Sequence, residues 1–496
     1  MSGWMLGSIP PFTENPKTAF DELFVAELTP VVQIHSAYNI NTRIMEARDN
    51  NGTSSIANNM FKVSTGGSAN QGSSLLSRIA VKYNAGQGGL CRFTALYTTG
   101  VANSTAYAGI GTSSEGYFFG YNGATFGLLR RQGGSPEIRT LTINPGSSDA
   151  ADSVTITLDG DTKAVTLNDD SGNATLTANT IAAADYSNTG LGWKAHAMGA
   201  NIVFESYNAA SKTGTYELTD ALSAAGTFAR SVVGVAPTET IVAQSAWSED
   251  VMDGSGPSGV TLDQTKGNVY EIRYQWLGFG IIDSYIENPS NGKFILVHKN
   301  EYANANTIPS VDNPTLPLCL AVANTSNTSD IVLQAASMMG GIEGKDIGEG
   351  LFNAAVLETT SIGTTETPVL SLHNHTVFQS KINRVRMSLE GLGVSFEASV
   401  AKKPAVVRVR LNPTLTAASF SAVDANTSVA RKDTSATAVS GGTLLFAQSI
   451  AEGAPLAIDL SKKTADLAPG ETITVSLEAS NGTIDPDVTL AWKDKF

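Results

Sequence analysis

One stretch constrains the fold more than any other. It is Leu90–Arg131, and within it Gly116-Tyr-Phe-Phe-Gly-Tyr121, then Asn122-Gly123, then Ala124-Thr-Phe-Gly-Leu-Leu-Arg130. Asn-Gly between two apolar runs is the strongest short-range signal for a β-hairpin, because these residues accept positive φ at least cost. Apolar side chains fall on both sides of each run. The pair is therefore expected at the centre of a sheet covered on both faces, in a β-sandwich.

Composition agrees with an all-β chain. Only 16% of the 496 residues are charged, against roughly 25% in a typical soluble domain. Long helices usually carry Glu- and Lys-rich outer faces, and here Ser, Thr, Asn, Ala and 47 Gly take their place. The length predicts two to four domains. A net charge of −14 argues against a nucleic-acid binder, which needs a basic face for phosphate, and against a polybasic membrane anchor. No run approaches the ~18 apolar residues that membrane insertion by a helix requires. The first 20 residues hold neither a basic segment nor a continuous apolar core and read as lacking a signal peptide.

Along the chain, residues 1–20 hold Pro10, Pro11 and Pro16 and read as an N-terminal arm. Residues 21–146 and 241–343 are expected to form the two halves of a jelly roll. Its predicted strands include 24–34 with a bulge or edge at Pro30, 77–83, 91–98, 106–111, the hairpin, and 138–143. Residues 47–74 read as loops around one short strand near Met60–Val63. Texture changes at Asn144-Pro145-Gly146 and returns near Thr240, so 147–240 is read as an inserted α+β module with a helix over 175–186. Within the module, Asp159-Gly160-Asp161 marks a second hairpin. The strand 269–276 alternates with period two, placing Tyr270, Ile272, Tyr274 and Trp276 on one side. Residues 344–353 are expected to be a linker, and 354–496 a C-terminal β-sandwich.

The search for chemistry returns mostly structural readings. Retaining glycoside hydrolysis needs two carboxylates ~5 Å apart, which on a strand reads as E-x-D-x-E, and no such run occurs. Glu249, Asp250 and Asp253 lie in a Gly/Ser/Pro-rich loop and read as turn caps. His373 and His375 would share one face of a strand and so could share a metal, but no acid or cysteine stands near them in sequence. Asp169, Ser171 and Asn173 offer alternating oxygens, without the Gly and Glu of an EF-hand loop. Gly109-x-Gly111 is followed by no helix and is a turn pair rather than a dinucleotide fingerprint. Arg386, Arg408 and Arg410 read as solvated strand residues, with a shared anion site as the alternative. Asn-x-Ser/Thr sequences, among them Asn324, reflect composition. Cys91 and Cys319 are the only cysteines; Cys91 reads as a buried thiol, and whether the two pair stays open. Neither a catalytic set nor a cofactor site is predicted. Tyr97, Tyr107, Tyr121, Trp247 and Tyr302 fall near predicted strand ends or loops and are the candidates for stacking on a sugar ring.

Several segments carry a resemblance. KYNAGQGGLCRFTALYTTGVANST (82–105), GYFFGYNGATFGLLRRQGG (116–134), GPSGVTLDQTKGNVYEIRYQWLGFGIIDSYIENPSNGKFILVH (256–298) and TSATAVSGGTLLFAQSI (434–450) resemble structural proteins of tailed phages and large marine viruses. That resemblance implies a virion component with a concanavalin-like jelly roll, and it transfers no site residue. The resulting expectation is a non-enzymatic particle-surface protein, a fibre, collar or head-decoration component. It would form a homo-oligomer, a trimer by analogy with the class, contact other virion proteins and touch host surface glycan. A carbohydrate-active depolymerase and a secreted lectin are the alternatives.

Overall fold

The computed structural model describes residues 28–144, 153–167, 172–187, 192–220, 224–346, 350–358, 361–396, 403–451, 454–461 and 466–496. The N-terminal arm, Asp169 and Ser171 lie outside them. The chain is mainly β: a jelly-roll sandwich, interrupted by a small α+β module and followed by a second sandwich.

Two antiparallel sheets make the jelly roll. The front sheet has the strand order Thr238–Ala243, Thr125–Gln132, Gly116–Asn122, Ser104–Gly111, Leu318–Asn324, Gly72–Ser77, Met45–Asn50. In the back sheet, Phe294–Asn300, Ile282–Glu287 and Asn268–Tyr274 lead to Gly89–Tyr97. Gly89–Tyr97 then pairs with both Ser337–Glu343 and Val332–Ala335. Leu28–His35 extends one branch, with its register slipping between Pro30 and Val32; Met60–Ser64 and Thr53–Ala57 extend the other. Period-two alternation explains what lies between the sheets. Phe93, Ala95 and Tyr97 face Tyr117, Phe119 and Tyr121, with Tyr270, Ile272 and Tyr274 beside them, all in one core. The front sheet buries its other face too, through Leu76, Tyr107, Phe118, Leu129 and Cys319. The hairpin thus has both faces covered.

Several expectations are corrected. The hairpin turns on Gly123-Ala124 rather than Asn122-Gly123: Asn122 pairs with Thr125, and Gly123 alone carries positive φ, 61°. Glycine at the first turn position is what a type II′ turn demands. By contrast Asp159 and Gly160 both take positive φ between Leu158 and Asp161. Residues 47–74, expected as loops around one strand, instead fall largely in four strands, Met45–Asn50, Thr53–Ala57, Met60–Ser64 and Gly72–Ser77. The strand near 77–83 ends at Ser77. The linker is shorter than expected, because the C-terminal sandwich begins its first strand at Leu351. Cys91 and Cys319 are both free and buried, in different clusters.

The largest correction concerns Pro136–Ile143. It does not close the jelly roll; it lies in the module's sheet, between Asn201–Ala209 and Gly226–Val232, with Trp193–Met198 outermost. Leu141 and Ile143 accordingly sit in the module's core with Ile156, Ile181, Trp193 and Phe204. The module's helix is Ala174–Ala182, and the Asn173 side chain accepts hydrogen bonds from the backbone N–H groups of Thr175 and Leu176 at its start. The C-terminal sandwich closes around Trp492, Leu389, Val407 and Val475.

Charged groups tie the three units together. Arg48 on the front sheet pairs with Glu46 at 2.6 Å and with Glu205 of the module at 3.1 Å, and Lys194 reaches both carboxylates. Burial alone would raise the Glu46 carboxyl, but Arg48, Lys194 and Arg78 hold it well below the usual range. Arg384 of the C-terminal sandwich pairs with Glu115 of the jelly roll at 2.8 Å.

Candidate functional site

None of the five aromatic residues singled out from sequence presents a ring to solvent. Tyr97 and Tyr107 are 1% exposed, Tyr302 3%, Trp247 4% and Tyr121 6%. Tyr97, Tyr121 and Trp247 belong to one aromatic cluster with Phe119, Phe126 and Tyr270, ring centroids 4.8–6.3 Å apart. The hydroxyl of Tyr97 donates to the Phe119 carbonyl at 2.9 Å. Tyr302 is held under Arg130 and donates to the Ile308 carbonyl. For Tyr97, Tyr121, Trp247 and Tyr302 the physical reason is shared: a large apolar ring is more stable in the core than at a rim. As stacking platforms they are ruled out, and only Tyr107 has a second role.

Tyr107 lies on the outer face of the front sheet, at the floor of a cleft of about 280 Å³ between that face and the module. Four neighbouring front-sheet strands supply the floor and the module supplies Tyr207 and Asn208. Strand alternation puts polar side chains on this face, because the same strands send Met45, Leu75 and Val322 into the core. The lining is rich in amides and hydroxyls: Asn50, Gln71, Ser73, Thr105, Asn208 and Asn324. It contains two guanidinium groups and no carboxylate or imidazole.

Both guanidiniums are already neutralised. Arg131 pairs with Glu239 at 2.7 Å and lies over the Tyr107 ring at 4.5 Å; Arg48 is held by Glu46 and Glu205. The unsatisfied groups are neutral. The side-chain amide nitrogen of Asn324, the amide oxygen of Asn50 and the hydroxyl of Tyr107 are buried without a hydrogen-bond partner. The Asn324 oxygen is by contrast engaged, accepting from the Gln71 N–H at 2.9 Å. A buried polar atom left unpaired costs about 1–3 kcal/mol, so the Asn50 oxygen and the Tyr107 hydroxyl, both on the outer face, mark a surface prepared for hydroxyl-bearing ligand. Burial pushes the Tyr107 phenol up to about 12 and the Cys319 thiol up to about 12, so both stay protonated. Nothing in the lining can act as a base near neutral pH, and a protonated thiol is a poor nucleophile.

The remaining sequence candidates take structural roles. Asp250 is buried and accepts from the N–H groups of Met252 and Ser258, and Asp253 accepts from Ser255. Arg408 and Arg410 pair with Glu366 and Glu478, and Arg386 with Asp466, so these arginines form no shared anion site. The Asn173 side chain is committed to its helix cap. His373 and His375 do share a neighbourhood, with ring centroids 6.0 Å apart. Among the described residues no group of three or more His, Cys, Asp or Glu is placed to hold a metal ion.

No protein-family model matches the chain, and no curated protein does. Solved structures that resemble it include the exoplasmic/lumenal domain of VIP36 in its Ca2+/Man3GlcNAc-bound form, at 9% identity over 63% of this chain and 89% of that one, with a TM-score of 0.25. Peanut lectin with a 9mer peptide shares 11% identity over 64% and 98% of the two chains, with a TM-score of 0.24. A legume lectin-like domain from Entamoeba histolytica shares 10% over 64% and 98%, also at 0.24. At such scores nothing about this chain's ligand follows from them.

Proposed function

We propose that this chain is a non-enzymatic virion surface protein that binds an uncharged glycan in the cleft on the outer face of its front sheet. The observation that carries the binding reading is the pair of unpaired neutral polar atoms on Asn50 and Tyr107, both on the outer face of the front sheet at the cleft. Sugar hydroxyls both donate and accept, so a single ring can satisfy an amide oxygen and a phenol together. The neutralised arginines favour an uncharged ligand over an acidic one. The virion assignment is supported by the resemblance of residues 82–105, 116–134, 256–298 and 434–450 to virion structural proteins, and by extensive sheet pairing of the kind that unfolds slowly.

Applied to a glycan array, the purified chain retains neutral oligosaccharides, and incubation with the same glycans releases no new reducing ends. Release of reducing ends would establish a depolymerase instead. Mass spectrometry of purified particles finds the chain in them; its absence there, with glycan binding retained, would point to a secreted lectin.

Self-association fits the C-terminal sandwich. Among the described residues Leu351–Glu358 is an edge strand that pairs with Pro486–Lys495 alone, and it exposes Leu351, Phe352 and Val356. An open apolar edge of this kind favours pairing with another copy. Light scattering is expected to show a homo-oligomer, a trimer on the class expectation, and Phe352→Asp to shift it toward monomer by at least tenfold in dissociation constant. An unchanged mass for the variant would remove this strand from the interface.

A further inference from the structure

The module and the C-terminal sandwich face one another across a second cleft, of about 420 Å³. Thr140, Asn201 and Ser231 line it from the module; His375, Ser428 and Arg431 line it from the sandwich. Its chemistry is the reverse of the first cleft. Arg431 stands on the strand Ala430–Asp433, directly opposite His373 in the register of the sheet. It is half-buried, and among the described residues it has no carboxylate within ion-pair distance and no side-chain hydrogen bond. The other arginines near this region differ: Arg384, Arg386, Arg408 and Arg410 each hold an acid.

Nor does any lining residue carry a carboxylate, in a chain with 46 acidic residues against 32 basic ones. Asp494, bonded to the lining residue Ser428, also accepts from Asn353, and Asp433, two residues beyond Arg431 on its strand, accepts from Ser419, Ser435 and Ala436. His375 adds a ring nitrogen, Nδ1, that is buried without a hydrogen-bond partner. A partly desolvated cation without a counter-charge is unfavourable, and an arginine fork matches the two oxygens of an oxyanion.

We infer that this cleft is an oxyanion-binding site, in which the Arg431 guanidinium and the His375 ring receive a carboxylate or sulfate group. Its volume falls in the range of small-ligand pockets and accommodates one sugar ring bearing that group. A bound oxyanion would supply the counter-charge that Arg431 lacks and an acceptor for the His375 ring N–H. This site stands apart from the front-sheet cleft and does not depend on glycan binding there.

The test titrates the full chain by calorimetry with sodium sulfate, sodium glucuronate and glucose at constant ionic strength. Saturable binding of sulfate or glucuronate is expected, with none for glucose. Arg431→Gln is expected to weaken it at least tenfold and Arg431→Lys, which keeps the charge but loses the fork, about threefold. Tighter binding of glucuronate than of sulfate identifies an acidic sugar as the ligand; equal binding identifies a free anion. In parallel, the His375 ring Cε1–Hε1 cross-peak of the unsubstituted protein shifts on titration, which reads the site even where a variant fails to fold. Binding that survives Arg431→Gln unchanged, or no saturable binding with a static His375 signal, overturns the inference.

Discussion

Replacing Phe119 with alanine lowers the stability of the jelly roll by about 3–5 kcal/mol, the cost of removing a large ring from a core that cannot close over the gap. Phe119 is fully buried at the middle of the front sheet. Its ring lies 4.8 Å from Tyr270, 6.0 Å from Trp247 and 6.4 Å from Phe93, so three aromatic neighbours on rigid strands define the walls of the cavity. Its carbonyl also anchors the buried Tyr97 hydroxyl across the sandwich. Phe119→Leu keeps most of the volume and costs about 1–1.5 kcal/mol. The C-terminal sandwich has a separate core around Trp492. Denaturant titration should therefore show one transition moving to lower denaturant while another stays in place. A loss below about 1 kcal/mol for the alanine variant would mean that this ring cluster does not organise the domain.

Acidification loosens the contact between the module and the C-terminal sandwich. His196 of the module stacks on His373 of the sandwich at 5.6 Å, and His375 lies beside it. Burial lowers all three: His196 to about 4, opposed by Glu205 and Glu46 and assisted by Lys194; His375 to about 3, assisted by Arg431; His373 well below its usual range, assisted by His196, His375 and Arg431. In the unfolded chain these rings take up protons near 6.5, and in the fold only at much lower pH. The unfolded state therefore binds more protons below that value. Their contribution is complete above pH 6.5 and is lost as pH falls through the folded values. At about 1.4 kcal/mol per pKa unit, the loss by pH 4 is on the order of 3 kcal/mol for His196 and for His375, and His373 adds to it in the same direction. Asp494, Asp283 and Glu471 are raised by burial and act in the opposite sense. The comparison must accordingly be between the unsubstituted chain and one carrying His196→Gln, His373→Gln and His375→Gln. The melting temperature of the first should fall more steeply between pH 7 and 4.5 than that of the second. Parallel curves would show that the three rings do not sense protons as a group.

Strand alternation made much of the sandwich legible. Tyr270, Ile272 and Tyr274 face inward as their spacing implies, and the 116–132 hairpin lies where its two apolar runs put it. The turn itself shifted by one residue, because a single positive-φ glycine was enough and Asn122 could stay in the ladder. Pro136–Ile143 was misplaced because a strand's alternation says which face is buried but not which sheet receives it. Residues 47–74 read as loops around one short strand because their outward side chains, among them Arg48, Asn50 and Ser74, are polar and hide the period of the buried partners.

The cleft was illegible for a related reason. Asn324 stood out only as part of an Asn-x-Ser sequence, and Asn50 and Gln71 only as loop composition. What distinguishes them is an unpaired atom or an unusual neighbour, which exists only after strands more than 200 residues apart in sequence are paired. The tyrosines were misjudged because an aromatic near a strand end reads alike whether its ring faces a core or a solvent-filled rim. Arg431 was invisible for the opposite reason: a missing counter-charge is a property of its surroundings.

The most direct measurement is the affinity of the purified chain for the strongest-binding neutral glycan, before and after Tyr107→Phe and Asn50→Ala. Tyr107→Phe deletes a single buried hydroxyl and keeps the ring, so the fold should be retained. Its glycan affinity should nonetheless fall about tenfold, and that of Asn50→Ala, which loses the unpaired amide oxygen, by at least as much. Both variants binding glycan as tightly as the unsubstituted protein would contradict the assignment of this cleft.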